Sequence, residues 1–242
     1  MDLSHGRIRI KNIIGNSNPC VMAEGVHRVR ETAAGEKVDL ITVGLEKGPT
    51  GLECAFEEAM AAPYILEQVV LAEKQGYHAV TLDCAGDPVL VAARERVSIP
   101  VVGSGQAGML FAMALGERVS IITVSPTIQW IRRNLKTYGF MSRVASIRGV
   151  AISLKGLIEE LETTEKVLLE VGRKVMEEDG AEIILLGCTG MSAYATALTK
   201  SLGIPVLDPA ACALKMAVDL VEMGLSHSKR SYPFPPSREI KG

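Results

Sequence analysis

One segment of this chain occurs twice, each time with a cysteine at the same place. Gly76-Tyr77-His78-Ala79-Val80-Thr81-Leu82-Asp83-Cys84 is answered by Gly180-Ala181-Glu182-Ile183-Ile184-Leu185-Leu186-Gly187-Cys188. Both copies run from a glycine through an apolar, strand-like stretch to a cysteine at the eighth position after the glycine. Both then pass through a helical stretch to Ile-Pro-Val, at Ile99-Pro100-Val101 and Ile204-Pro205-Val206. A repeat of this kind restricts the chain to two similar half-domains, each carrying one thiol at the carboxyl end of a strand.

The rest of the sequence has the same rhythm. Short apolar runs at Ile8–Ile14, Val38–Val43, Ala79–Leu82, Val101–Val102, Val119–Val124, Ser146–Ile152, Ile183–Leu186 and Val206–Leu207 predict strands. Helix-length stretches separate them: Met22–Ala34, Pro63–Lys74, Pro88–Val97, Gly108–Leu115, Thr127–Tyr138, Thr164–Glu178, Ala193–Leu202 and Ala210–Met223. Several strand runs are apolar throughout, as suits a parallel sheet covered on both faces. Alternation of strand and helix implies right-handed βαβ units. The expected class is therefore α/β: two similar parallel-sheet lobes related by pseudo-two-fold symmetry, with the active site in the cleft between them. The first lobe is drawn over 1–103, with 206–242 packing back on it, and the second over 104–205. Lys47–Gly51 and Ser153–Gly156 read as loops, and the proline-containing tail from Ser226 as an irregular segment over the surface.

Composition removes several function classes. The 26 basic and 28 acidic residues form no basic block, so a phosphate-tracking nucleic-acid surface is not expected. The first residues lack a secretory pattern, and the longest apolar stretch is broken at Glu117 and Arg118. The sequence thus reads as a cytoplasmic protein with no membrane partner, acting on a small-molecule substrate and compatible with a homo-oligomer. Five scattered cysteines (Cys20, Cys54, Cys84, Cys188, Cys212) contain no CxxC pair, which argues against a disulfide framework and a structural zinc site. No metal is expected.

Ligands of open parallel sheets bind beyond the carboxyl ends of the strands, where Cys84 and Cys188 would project. A free cysteine is more often a small buried hydrophobe. Here the positional equivalence, and the small residues following each thiol, favour a functional pair; Cys20, Cys54 and Cys212 take the structural role. Asp87-Pro88 predicts a helix start just after Cys84, and Ser192 a cap after Cys188. Amides at those helix starts would lower the thiol pKa and stabilise an enolate. The strand-end turns add Asn16, Ser17, Thr123 and Ser125 as substrate-binding candidates, beside Ala85, Gly86, Thr189 and Gly190. Gly103-Ser104-Gly105-Gln106-Ala107-Gly108 matches a dinucleotide fingerprint, but no acidic residue follows about 20 positions on. A glycine turn linking the lobes is preferred.

These motifs resemble the aspartate/glutamate/hydantoin racemase superfamily, and its hydantoin/allantoin racemase branch most. Cys84-Ala85-Gly86-Asp87-Pro88 is similar to that branch's first cysteine motif, and Gly187-Cys188-Thr189-Gly190-Met191 to its second. Gly48-Pro49-Thr50-Gly51-Leu52-Glu53 and the Ser228–Tyr232 tail are weaker matches. The resemblance implies two lobes around a cleft, no metal, no pyridoxal phosphate or other cofactor, and Cys84 and Cys188 as the two acid/bases. Gly15-Asn16-Ser17-Asn18-Pro19 departs from the usual Asn-Pro-Asn-Thr, and Ala85 stands where a bulkier residue is common. The implied reaction is racemisation or epimerisation at an acidic α-carbon, of a 5-substituted hydantoin or allantoin. An aspartate/glutamate-type racemase is the alternative, ahead of a maleate isomerase- or arylmalonate decarboxylase-like enzyme, a redox thiol pair, or a non-catalytic ligand-binding module.

Overall fold

The computed structural model describes residues 6–22 and 24–236. It contains two four-stranded parallel sheets of the same topology. The first sheet has the order β2 (Val38–Val43), β1 (Ile8–Ile13), β3 (Ala79–Leu82), β4 (Val101–Gly103). The second has β6 (Val144–Val150), β5 (Val119–Val124), β7 (Ile183–Leu186), β8 (Val206–Leu207). The strands that bear the cysteines are thus third in each sheet, with matching registers: Ile13 lies beside Leu82, and Ile122 beside Leu186. Every residue of β3, β5 and β7 is buried, Thr81, Ser120 and Thr123 included, as in strands covered on two faces.

The helices are α1 (Glu24–Ala34), α2 (Ala55–Lys74), α3 (Leu90–Arg96), α4 (Ser104–Leu115), α5 (Ile128–Thr137), α6 (Leu154–Glu159), α7 (Leu161–Asp179), α8 (Ala195–Leu202) and α9 (Pro209–Glu222). Three depart from expectation. α4 starts at Ser104, so the Gly103–Gly108 segment read as a linking turn opens that helix rather than forming a loop. α2 begins well before Pro63, because its buried stripe Ala61, Ile65, Val69, Ala72 runs through the proline, whose ring faces solvent. Ala59, whose carbonyl loses its amide partner there, is an exposed residue, so the break is tolerated. The Ser153–Gly156 segment is not a loop but the start of α6, where Ser153 Oγ accepts from Gly156 N at 3.1 Å.

Lobe membership also differs from the sequence division. Val206–Leu207 does not return to the first lobe: it pairs with β7 and closes the second sheet. The helix that follows does return. Asp208 caps α9 by accepting from Ala210 N, and Cys212, Ala213, Leu214, Ala217 and Val221 pack with Ile8, Ile10, Ala79 and Val102. α4 serves both lobes, burying Ala107 in that same core and Met109 and Ala112 against Ile121 and Ile183. Residues 226–236 are irregular, as expected, and held down: His227 Nε2 lies 2.9 Å from Val101 N at the edge of β4, and Lys229 Nζ donates to Arg94 O and Val97 O. The rest of the expected tail, 237–242, and the amino-terminal residues 1–5 lie outside the described residues.

Among the described residues no helix is long and apolar enough to cross a membrane. Among them, too, no group of three or more His, Cys, Asp or Glu side chains is placed to hold a metal ion.

Candidate active site

A cavity of about 660 Å³ opens between the carboxyl ends of the two sheets. Cys84 and Cys188 both line it, each two residues past the end of its strand. Each sulfur receives one nearby amide, from Gly86 for Cys84 and from Gly190 for Cys188. The duplicated sequence therefore becomes a duplicated strand-end turn lining one cavity, and all five cysteines are free thiols.

The electrostatics correct the expectation of acidified thiols. Burial pushes Cys188 up to about 11, with the Gly190 amide and the Arg30 guanidinium pulling it back. Burial raises Cys84 further still, and the charges of Cys188, Asp87 and Asp83 add to the effect. Desolvation outweighs a single amide here. Nor does Asp87-Pro88 start a helix beside Cys84. α3 begins at Leu90, and Asp87 and Val89 both take left-handed backbone, at φ 48 and 50. For non-glycine residues such angles cost roughly 1–3 kcal/mol each, so the surrounding structure must impose them. Ser192 likewise caps nothing; its hydroxyl sits 2.6 Å from Asp208 Oδ1 and 2.8 Å from Thr189 O.

Asp87 instead serves α4. Its Oδ1 accepts from Gly105 N and its Oδ2 from Gln106 N, each at 2.7 Å. The amides that a dinucleotide pyrophosphate would need are thereby filled by the protein's own carboxylate. Gly105 is required for this approach, since a Cβ there would lie 2.2 Å from Ala85 O.

Of the other expected contacts, Asn16, Ala85, Gly86, Thr189 and Gly190 line the cavity. Three do not. Ser17 points away and bonds Gly48 O. Thr123 is buried beneath the wall, donating to Gly187 O at 2.9 Å. Ser125 is exposed outside it. A strand-end hydroxyl reaches a ligand only if the local turn aims it there, and these turns do not.

Sequence reasoning missed Arg30. It projects from α1 with Val26 and Val29, and its side chain is only 3 % exposed. Nε and Nη2 form a fork on Asp83, at 2.6 and 3.0 Å, and Nη2 also donates to Thr189 O at 2.8 Å. Asp208 Oδ2 stands 3.9 Å from Nη1. Asn12 Nδ2 completes the shell of Asp83 at 2.7 Å, and Thr189 Oγ1 donates to Asp83 O at 3.2 Å. The residue before Cys84 and the residue after Cys188 are thus joined through one guanidinium. Fifty-three positions separate Arg30 from Asp83, and no local pattern in the sequence announces the pair.

The remaining walls are apolar: Ile14, Leu52, Val124, Trp130, Ile131, Leu157 and Leu161, with Glu53 and Glu57 at the Gly48–Glu53 loop and the α2 start. Among the described lining residues Arg30 is the one cation, and its charge is met by two carboxylates.

The chain is similar to known racemases over nearly its whole length. A family profile described as Asp/Glu/Hydantoin racemase matches residues 12–217. The hydantoin racemase of Pseudomonas sp. (strain NS671) is 33 % identical over 95 % of this chain and 93 % of its own length. The structure of an allantoin racemase from Klebsiella pneumoniae superimposes with a TM-score of 0.92 at 32 % identity, covering 97 % of this chain and 96 % of that one. A glutamate racemase from Francisella tularensis shares the fold at a TM-score of 0.61 and 19 % identity, over 95 % of this chain and 86 % of that one.

Proposed function

The chain belongs to the Asp/Glu/Hydantoin racemase family and is a racemase, and from that premise we propose that it inverts the ring carbon of a 5-substituted hydantoin or allantoin by proton transfer between Cys84 and Cys188. One sulfur, as thiolate, removes the proton from the ring carbon. The enolate formed collapses back by taking a proton from the opposite thiol, on the other face. Because both faces are served by the same chemistry, no cofactor is needed.

The raised thiol pKa has two consequences for this cycle. At pH 7 a thiol of pKa about 11 is ionised only about one part in ten thousand, which costs about 5 kcal/mol before chemistry begins. The thiolate, once formed, is a correspondingly strong base. A ring carbon beside the carbonyl of a neutral cyclic imide, which takes up the charge as an enolate, suits that compromise better than the α-carbon of a free amino-acid carboxylate.

The single observation that carries the substrate class is the charge of the cavity. Arg30 is held by Asp83 and faced by Asp208, and Glu53 and Glu57 add negative charge. A dicarboxylic amino acid would enter without a free cation to receive it, whereas a neutral ring carries no such demand. The apolar walls favour a hydrocarbon substituent on the ring over the ureido group of allantoin.

Enantiopure 5-substituted hydantoins, allantoin, aspartate and glutamate, each incubated with the protein in deuterated water, test the reading. We expect decay of optical rotation with deuterium at the ring carbon for a hydantoin, and loss of both signals in Cys84→Ser and Cys188→Ser separately. Near wild-type turnover in either variant would refute the two-thiol mechanism. Racemisation of aspartate or glutamate in place of the rings would refute the substrate class.

A further inference from the structure

We propose that Asp87 is the positioning residue for Cys84, and that α5 of the opposite lobe is the outer half of the clamp through which it acts. The inference rests on the two-thiol reading of the site. Asp87 lies behind the cavity wall, so its role is indirect, through the turn it shares with the cysteine: Asp87 N donates to Cys84 O at 3.0 Å.

Four elements converge on this turn. α4 supplies the amides of Gly105 and Gln106 to the carboxylate. α5 presents Trp130 and Asn134, and Tyr138, which caps its C-terminus, follows at the same four-residue interval. Tyr138 OH donates to Asp87 Oδ2 at 3.0 Å, and Asn134 Nδ2 donates to Gly86 O. Trp130 covers Gly86 so closely that a Cβ on the glycine would fall 2.4 Å from the indole ring. α2 closes the far side, where Glu58 Oε1 accepts from Val89 N at 3.0 Å. The left-handed backbone of Asp87 and Val89 is the conformation these contacts enforce, and it aims Cys84 at the cavity.

The carboxylate is the centre of the clamp because its two oxygens take three donors. A proton on either oxygen meets an N–H or O–H already directed at it, so protonation loosens at least one contact. Burial pushes this carboxyl up to about 6; the Gly105 and Gln106 amides, the Tyr138 hydroxyl and the Arg94 charge on α3 oppose that rise. The other charged or titratable groups facing it are Cys84 in its own turn and Glu58, which acts on Tyr138. The clamp is therefore closed at neutral pH and opens on mild acidification.

The protein carries a single tryptophan, Trp130, on the turn itself, so the state of the clamp can be read without substrate. Emission of the wild type, followed from pH 4.5 to 8, should change with a midpoint near 6. Tyr138→Phe removes a donor to the ionised form, so its midpoint should move up by about half a pH unit or more. Asp87→Asn should abolish the transition. The acid limb of kcat for hydantoin racemisation should move with the emission midpoint, with KM changing less. No emission change near pH 6, or a Tyr138→Phe midpoint equal to wild type, overturns the proposal even if Cys84→Ser and Cys188→Ser are inactive. An emission transition that shifts as stated while the wild type racemises no hydantoin upholds the clamp and refutes the substrate reading. Should Asp87→Asn not fold, Tyr138→Phe alone decides, because a purely structural loss of a hydroxyl would not move a titration midpoint.

Discussion

Replacing Arg30 by glutamine should destabilise this protein more than any exposed substitution, and the structure sets the size of the effect. Its guanidinium is 3 % exposed and the Asp83 carboxylate 0 %, so neither charge has water as an alternative partner. Removing one member of a buried pair costs about 3–5 kcal/mol, since the other charge stays behind without compensation. Loss of the Arg30 bond to Thr189 O adds about 1 kcal/mol. For a chain of 242 residues each kcal/mol moves the melting temperature by about 2–4 °C, so Arg30→Gln should melt about 10 °C or more below wild type. Differential scanning calorimetry at pH 7.5 measures this directly. Adding Asp83→Asn to Arg30→Gln removes the stranded charge and should restore about half the loss or more, giving a favourable coupling in the double-mutant cycle. A melting point within about 2 °C of wild type for Arg30→Gln would show that the pair does not hold the two cysteine loops together. A purely additive loss in the double variant would show that the stranded charge is not the cause.

Three further outcomes follow from the structure. Carbamidomethylation of Cys188 by iodoacetamide, followed by peptide mass spectrometry, should rise about tenfold per pH unit from pH 7 to 10 without levelling near 9, because its thiol is pushed up to about 11. A plateau below pH 9 would contradict the burial argument. Since the folded form keeps that proton longer than the unfolded chain does, the same group should withdraw stability as pH rises from about 9 to 11, which urea titrations across that range would detect. Gly105→Ala drives a Cβ into Ala85 O and should lower the melting temperature by about 5 °C with loss of turnover. Gly51→Ala, which meets no atom within 4 Å, should melt with the wild type, and equal melting of the two variants would refute the packing argument.

The repeat made most of the architecture readable. All eight expected strands form: β3, β5 and β7 are buried throughout, whereas the partly exposed edge strands β2 and β6 are held by pairing with their buried neighbours β1 and β5. Both cysteines reach one cavity because equivalent sequence builds equivalent strand ends. Helix starts were less legible, since burial at Ala61 and Ile65 overrides the signal of Pro63, and Ser153 opens a helix where glycine suggested a loop. The site's polar residues divided similarly. Asn16 and Thr189 reach the cavity, whereas Thr123 and Ser125 carry the same kind of side chain and do not. Side-chain type sets what a residue can bind, but the turn that carries it sets where it points.

The sequence alone determined the duplicated α/β plan, the pair of thiols and their place at strand ends, since these follow from local pattern and covalent spacing. Only the tertiary structure decided their chemistry. Desolvation by both lobes raises the thiols, α1 delivers Arg30 to a carboxylate and a carbonyl on opposite loops, and α4 and α5 close on Asp87 from two sides. Electrostatic energy depends on distance and on the surrounding medium, and both are properties of the folded assembly that no stretch of sequence carries.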